Sequence, residues 1–227
     1  IGGERVALRI LDPDKNFLAL DNLGFTDQIT KQIKNLLQME QGLIIICGPT
    51  SSGKTTTLYA MLHHIYTHYC QTRQVIVIED PVEFPMEGVP QIQVKDDSGF
   101  GFEEALKAIL RQDPEVIGLG EIRDGATARM AVRAALTGHL VLGTIHAGNI
   151  EEVPGRLRDL GSDRRLLAGA IKAVLSQRLR MKECQCKSSC EKCHGTGILG
   201  REPMADLFMV TPEFRNQILA REVPHAE

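Results

Sequence analysis

Apolar and polar positions alternate along this chain in two distinct rhythms. Short, continuous apolar runs at residues 43–47, 75–79, 116–120 and 140–145 have the length and β-branched content of strands covered on both faces. Between them lie segments with a helical period, at residues 53–69, 102–111 and 126–137. In the second of these, Phe102, Ala105, Leu106, Ile109 and Leu110 share one helical face, which marks them as core rather than as functional residues. Such alternation predicts an α/β fold built on a largely parallel central sheet. After His146 the pattern turns helical, with predicted helices at residues 151–160 and 164–181, then a cysteine-rich segment and a last amphipathic stretch.

The opening residues read differently. Arg5, Val6, Ala7, Leu8, Arg9, Ile10 and Leu11 alternate at the strand period and stop at Asp12-Pro13-Asp14, which predicts a terminal strand and then a linker to about Asn22. Thr26 or Asp27 is expected to cap a helix reaching about Met39. The expected division is residues 1–21 as the end of a preceding unit and residues 22–227 as the main domain. The first residue is Ile rather than Met, as expected of a fragment of a longer protein.

Gly48, Pro49, Thr50, Ser51, Ser52, Gly53, Lys54 and Thr55 fit the GxxxxGK[ST] phosphate loop and fall between an apolar strand and a helix, the context the motif requires. The glycines let backbone N–H groups turn toward phosphates, and the following helix directs its positive end at them. Lys54 would neutralise the β and γ oxygens of ATP and Thr55 would ligate Mg²⁺, with Thr56 completing the candidate nucleotide set. Glu79 ends the second run, Asp80 and Glu83 follow it, and Glu121 follows the third. Because open α/β sheets bind ligands outside the carboxyl ends of their strands, these acids should meet at the phosphate loop. A single loop acid is more often a solvated charge; three strand ends converging on one loop argue for function. Glu121 is the candidate that orients and polarises the attacking water. His139 and His146 bracket the fourth run: His146, at the strand end, is placed to hydrogen-bond a γ-phosphate, whereas His139 either stabilises a turn or touches nucleotide.

Composition narrows the setting. With 26 basic and 29 acidic residues the formal charge is −3, a poor overall match for DNA phosphates or anionic lipid. No apolar run approaches the roughly 20 residues that span a bilayer and no signal peptide is visible, so the expected location is the cytoplasm. Of six cysteines, Cys47 and Cys70 are expected to be small buried hydrophobes. Cys184, Cys186, Cys190 and Cys193 crowd into a loop at about residues 184–194, and in a reducing compartment four such thiolates point to tetrahedral Zn²⁺, with His194 as an alternative ligand. A disulfide-linked or free-thiol loop is the competing reading.

Four ordered motifs carry a resemblance: the phosphate loop, residues 78–83, Leu110-Arg111-Gln112-Asp113-Pro114 leading into Gly120-Glu121-Ile122-Arg123-Asp124, and Ala135-Leu136-Thr137-Gly138-His139-Leu140 through His146. Together they resemble the secretion ATPase superfamily, whose members power type II secretion, type IV pili and competence pseudopili. The resemblance implies a RecA-like core, a homo-hexameric ring, and attachment to the inner membrane through a platform protein, with no direct nucleic-acid contact. It implies Glu121 as the catalytic carboxylate, Glu79 and Glu83 as acids near Mg²⁺ and water, and His139 and His146 as the paired histidines. Arg9, and more weakly Arg5, would be arginines that a companion domain presents to the nucleotide. Ala147-Gly148-Asn149 departs from the pattern, since assembly motors usually carry Thr after the second histidine. A four-cysteine loop is typical of assembly motors and absent from retraction motors, although here its first pair is CxC and the loop is compact.

Three other readings compete. A nucleic-acid motor shares the phosphate loop, but 3 Tyr, 7 Phe and no Trp are poor material for base stacking. A GTPase would need an NKxD-like guanine-reading segment, which the sequence lacks. A non-hydrolysing scaffold ordered by nucleotide is separated from an ATPase by a turnover assay.

Overall fold

The computed structural model describes Gly3 and residues 19–95, 99–186, 190 and 192–220. The predicted opening strand, with Arg5 and Arg9, lies outside the described residues. The apolar runs form β1 (Gly42–Cys47), β2 (Val75–Glu79), β4 (Val116–Leu119) and β5 (Leu140–Ile145), all buried along their whole length. They join β3 (Gln91–Gln93), β6 (Ile171–Glu183) and β7 (Ile198–Met209) in a seven-stranded sheet of order β3-β2-β4-β5-β1-β6-β7. Every pairing is parallel except that of β6 with β7. This is the expected α/β architecture.

Seven helices among the described residues, α1 (Asp27–Leu36), α2 (Lys54–Tyr69), α3 (Phe102–Ile109), α4 (Gly125–Leu136), α5 (Glu152–Asp159), α6 (Arg164–Ala170) and α7 (Pro212–Ala220), cover the sheet on both faces. Residues of β1 alternate between the two resulting cores: Leu43, Ile45 and Cys47 join the layer containing α3, α4, α5 and α6, and Ile44 and Ile46 join the layer containing α1 and α2. Thr26 is the residue that caps α1, its Oγ1 accepting from the Ile29 N–H at 3.3 Å. Leu20 and Leu23 are buried in the core cluster that contains α2. On α3 the predicted stripe is buried at Phe102, Ala105, Leu106 and Ile109, while Leu110 is the half-buried cap.

Two expectations need correction. The helix predicted over residues 164–181 ends at Ala170, and β6 begins at Ile171. Ala, Leu, Arg and Lys give this segment helix propensity, but pairing with β1 on one side and β7 on the other outweighs it. Cys70 is exposed, because it caps the solvent end of α2; Cys47 is buried as expected.

Close packing of α2 onto the sheet yields a test. Leu62 is fully buried, and a Cβ on Gly118 of β4 would lie 2.8 Å from its Cδ1. Leu62→Ala is expected to lower unfolding free energy by about 2–5 kcal/mol, measured by urea denaturation, whereas Leu219→Ala, on a half-exposed side chain, changes it by under about 0.5 kcal/mol.

Candidate nucleotide and metal sites

The three central strands end at one rim. Cys47 of β1 pairs with Ile145 of β5, and Leu119 of β4 pairs with Gly143, so the residues that follow each strand emerge side by side. Gly48 and Gly53 open and close the phosphate loop at φ 151° and 88°, with Ser51 also left-handed at 60°. Pro49, Thr50 and Ser51 are exposed on the loop's crest, Thr55 is half-buried in the first turn of α2, and Thr56 is exposed. Lys54 is buried, its Nζ donating to the carbonyls of Gly48 and Pro49 at 2.9 Å each. Burial lowers its pKa, opposed by the charge of Glu121. The hydroxyl of Ser52 is buried without a partner among the described residues, and the loop's N–H groups head a helix of 16 residues. An orphaned donor, a buried ammonium and a helix N-terminus suit a phosphate chain.

Glu121 stands at the centre of a charged chain. Its Oε2 accepts from Arg123 Nε at 2.7 Å, its Oε1 lies 3.0 Å from His146 Nε2, and Arg123 NH1 reaches Asp80 Oδ2 at 3.1 Å. The hydrogen bond to Glu121 is the main cause of a raised Arg123 pKa, and burial opposes it. The strand end beneath is fixed by Thr144, whose Oγ1 donates to the Gly120 carbonyl at 2.6 Å and whose carbonyl accepts from Ile122 N–H at 2.8 Å. Thr55, Glu79, Asp80, Glu83, Glu121 and Arg123 line one cleft of about 70 Å³. The sequence places Asp80 among the acids of the rim but does not mark Arg123 as its partner, because an ion pair spanning 43 positions leaves no local signal.

The other candidates separate by position. Glu83 is exposed, and its N–H donates to Tyr59 Oη at 3.3 Å. Glu79 lines the cleft yet is 2% exposed, with one oxygen accepting from Tyr59 Oη and the other from Gln91 Nε2 at 2.9 Å. His146 joins the rim, but His139 precedes β5 and lies at the opposite sheet edge. Seven steps of about 3.3 Å each put roughly 23 Å between the two histidines. Its Nδ1 sits 3.1 Å from the Ala134 carbonyl, so within one chain His139 belongs to the turn after α4, not to the phosphate loop. After His146, Gly148 N–H and Asn149 Nδ2 bond the Glu152 carboxylate at 2.6 and 2.9 Å, and Glu152 N–H returns to Asn149 Oδ1 at 3.0 Å. The departure from Thr thus forms a reciprocal cap at the start of α5.

Beyond the ends of β6 and β7, the sulfurs of Cys184, Cys186, Cys190 and Cys193 all lie within 4.8 Å of one another, with three contacts at 3.5 Å. All four are free thiols. Tetrahedral Zn²⁺ with bonds of about 2.3 Å needs sulfurs roughly 3.8 Å apart, so the donor set fits. Main-chain hydrogen bonding at Cys190 and Gly197 draws the Cys193 thiol down to about 6, while hydrogen bonding with Cys184 and Cys193 pushes Cys186 up to about 12. His194 is exposed in a left-handed turn, and the four-ligand group does not include it.

Burial, opposed by the bonds from Tyr59 and Gln91, raises the Glu79 pKa above 4.5. A buried acid with a raised pKa holds its proton longer folded than unfolded, so its contribution to stability is lost as pH climbs through that raised value. Wild type should therefore lose stability relative to Glu79→Gln as pH rises from 4.5, followed by thermal melting of both proteins across the range. A difference independent of pH would remove Glu79 as the buried titrating group.

Comparison with known proteins accords with this geometry. The chain is 41% identical over 226 residues to the type II secretion system protein HxcR of Pseudomonas aeruginosa, covering 95% of this chain and 48% of that protein. It is 39% identical over 241 residues to type II secretion system protein E of Klebsiella pneumoniae, with 95% and 48% covered. The chain thus spans about half the length of the curated relatives it matches. Among solved structures, the pilus retraction motor PilT with bound ADP superposes with a TM-score of 0.74 at 31% identity, over 91% of this chain and 57% of that one. The Legionella pneumophila ATPase DotB superposes at 0.69 with 23% identity, over 90% and 54%, a likeness of fold. The family described as Type II/IV secretion system protein matches residues 1–226, and the chain belongs to that family.

Proposed function

We propose that this chain is the core of a Mg²⁺-dependent ATPase that powers assembly of a type IV pilus or of a type II secretion or competence pseudopilus. The observation that carries the reading is the meeting, at one sheet rim, of the phosphate loop after β1, Glu121 after β4 and His146 after β5. The loop from Gly48 to Thr55 would hold the phosphates, with Lys54 as the neutralising cation and Thr55 as the residue that would ligate Mg²⁺, an ion that when bound would supply further charge neutralisation. Glu121 takes the water's proton and sets its direction, and Arg123 and His146 hold that carboxylate in place. Glu83, exposed on the cleft, would be the acid near Mg²⁺ and water, and Glu79 supports the cleft from the interior.

At the level of the whole protein, this reading includes a homo-hexamer, a companion domain ending near residue 21 whose Arg9 or Arg5 reaches the nucleotide, and a cytoplasmic position at the inner membrane through a platform protein. No described helix is long and apolar enough to cross a membrane. Zn²⁺ on the four cysteines would fix the tip of the β6–β7 hairpin, and that loop favours fibre assembly over retraction.

Turnover and equilibrium nucleotide binding test the site together. Lys54→Ala should abolish binding, whereas Glu121→Gln should bind normally and hydrolyse slower by a factor on the order of 10² to 10⁴. Wild-type turnover by Glu121→Gln would remove it as the water-positioning residue. For the metal, elemental analysis should find close to one zinc per chain and its loss in Cys190→Ser/Cys193→Ser, with nucleotide binding retained. Metal-free wild type with four titratable thiols would overturn the zinc assignment.

A further inference from the structure

Beyond the end of β1, strand β6 continues past the rim. Cys47 pairs with Ser176, and the next residue, Gln177, enters the space behind the phosphate loop. Gln177 is 3% exposed and both ends of its amide are used. Nε2 donates to the Ser52 carbonyl at 2.9 Å, and Oε1 accepts from Thr57 Oγ1 at 2.7 Å. Thr57 is itself 1% exposed, one turn into α2. The amide therefore ties the last part of the loop to the helix that follows it, across more than 100 residues of sequence.

Both motif glycines face this residue. A Cβ on Gly48 would lie 2.2 Å from the Gln177 main-chain oxygen, and one on Gly53 would lie 2.7 Å from its Nε2. Side chains at either position would drive the loop off β6. A phosphate loop works by turning N–H groups inward, which leaves carbonyls directed outward in need of partners. Gln177 supplies the partner for Ser52 in a place from which water is excluded.

We propose that Gln177 is a positioning residue for nucleotide binding: its buried amide, bonded to Ser52 and Thr57, holds the phosphate loop in its binding shape before nucleotide arrives. This rests on the phosphate-site reading above and extends it to a residue outside the family's four motifs. It touches no reacting atom; it acts through the loop's backbone. Preorganisation of this kind is expressed as affinity, because a loop that must be ordered on binding loses that ordering free energy from the complex.

The test is equilibrium titration of the chain with a fluorescent ADP analogue and Mg²⁺, alongside thermal melting without nucleotide. Gln177→Met keeps the volume and removes both hydrogen bonds; Thr57→Val removes one, and Thr57→Ser restores it. Gln177→Met is expected to weaken binding on the order of tenfold, with Thr57→Val weaker in the same sense. Thr57→Ser should stay within about twofold of wild type, and the double variant Gln177→Met/Thr57→Val should be no weaker than Gln177→Met alone. A lowered melting temperature with unchanged affinity would overturn the proposal, leaving the amide a packing element. Should Gln177→Met fail to fold, equal affinities for Thr57→Val and Thr57→Ser overturn it, and a loss restored by Ser supports it. Lys54→Ala separates the two readings. Wild type that binds, with Lys54→Ala that does not, confines any failure to Gln177, whereas folded wild type that does not bind overturns the phosphate site and this proposal with it.

Discussion

Parallel pairing of β1 with β5, and of β5 with β4, is the constraint from which the site follows. Each strand of such a sheet runs in the same direction, so whatever the chain carries immediately after a strand is delivered to the same edge. The registers bring Cys47 level with Ile145, and Leu119 level with Gly143 two residues short of that end. Gly48, Glu121 and His146 therefore become neighbours without any long loop to organise them. Both faces of the sheet are covered by helices and filled with apolar side chains, which leaves the strand ends as the place where charge can gather.

At that edge the carboxylate of Glu121 is shared between two cationic or potentially cationic groups, and Arg123 is shared in turn with Asp80. These side chains are partly exposed, and such pairs contribute little to stability. Their consequence is directional. A carboxylate held from both oxygens cannot rotate freely, so its lone pairs keep one orientation relative to Thr55 across the cleft. Thr144 fixes the backbone below, which makes the position of Glu121 a property of the sheet rather than of its loop.

Much of this was legible in the sequence because it depends on local pattern. Fully buried parallel strands read as continuous apolar runs, and a phosphate loop has fixed spacing, so β1, β2, β4, β5 and the residues after them could be placed from the chain alone. What could not be read depends on pairing across long separations. Residues 171–183 have a helix-forming composition, and only β1 and β7 make them a strand. β3 is three residues with glutamine at both ends, too short and polar to show a period. Arg123 on Asp80, Tyr59 on Glu79 and Gln177 on Thr57 each join distant segments. The placement of His139 followed from motif likeness; the parallel direction of β5 sends it to the other edge.

Alternation along a strand explains why neighbouring residues at the rim have opposite duties. Consecutive side chains point to opposite sides of a sheet, and as a strand passes its last pair this division continues into the first residues beyond. Glu79 turns inward to Tyr59 and Gln91, and Asp80 beside it turns outward to Arg123. Gln177 turns to the phosphate loop, and Arg178 beside it donates to the Gly148 carbonyl at 3.1 Å, in the loop that follows His146. In each pair the inward residue is buried and holds the scaffold, whereas the outward one meets the rim. A one-residue slip of β6 would exchange the two, placing a guanidinium behind the phosphate loop and an amide at the surface. Register between β1 and β6 is consequently as much a determinant of the site as the motif residues, since it decides which of two adjacent side chains the loop rests upon.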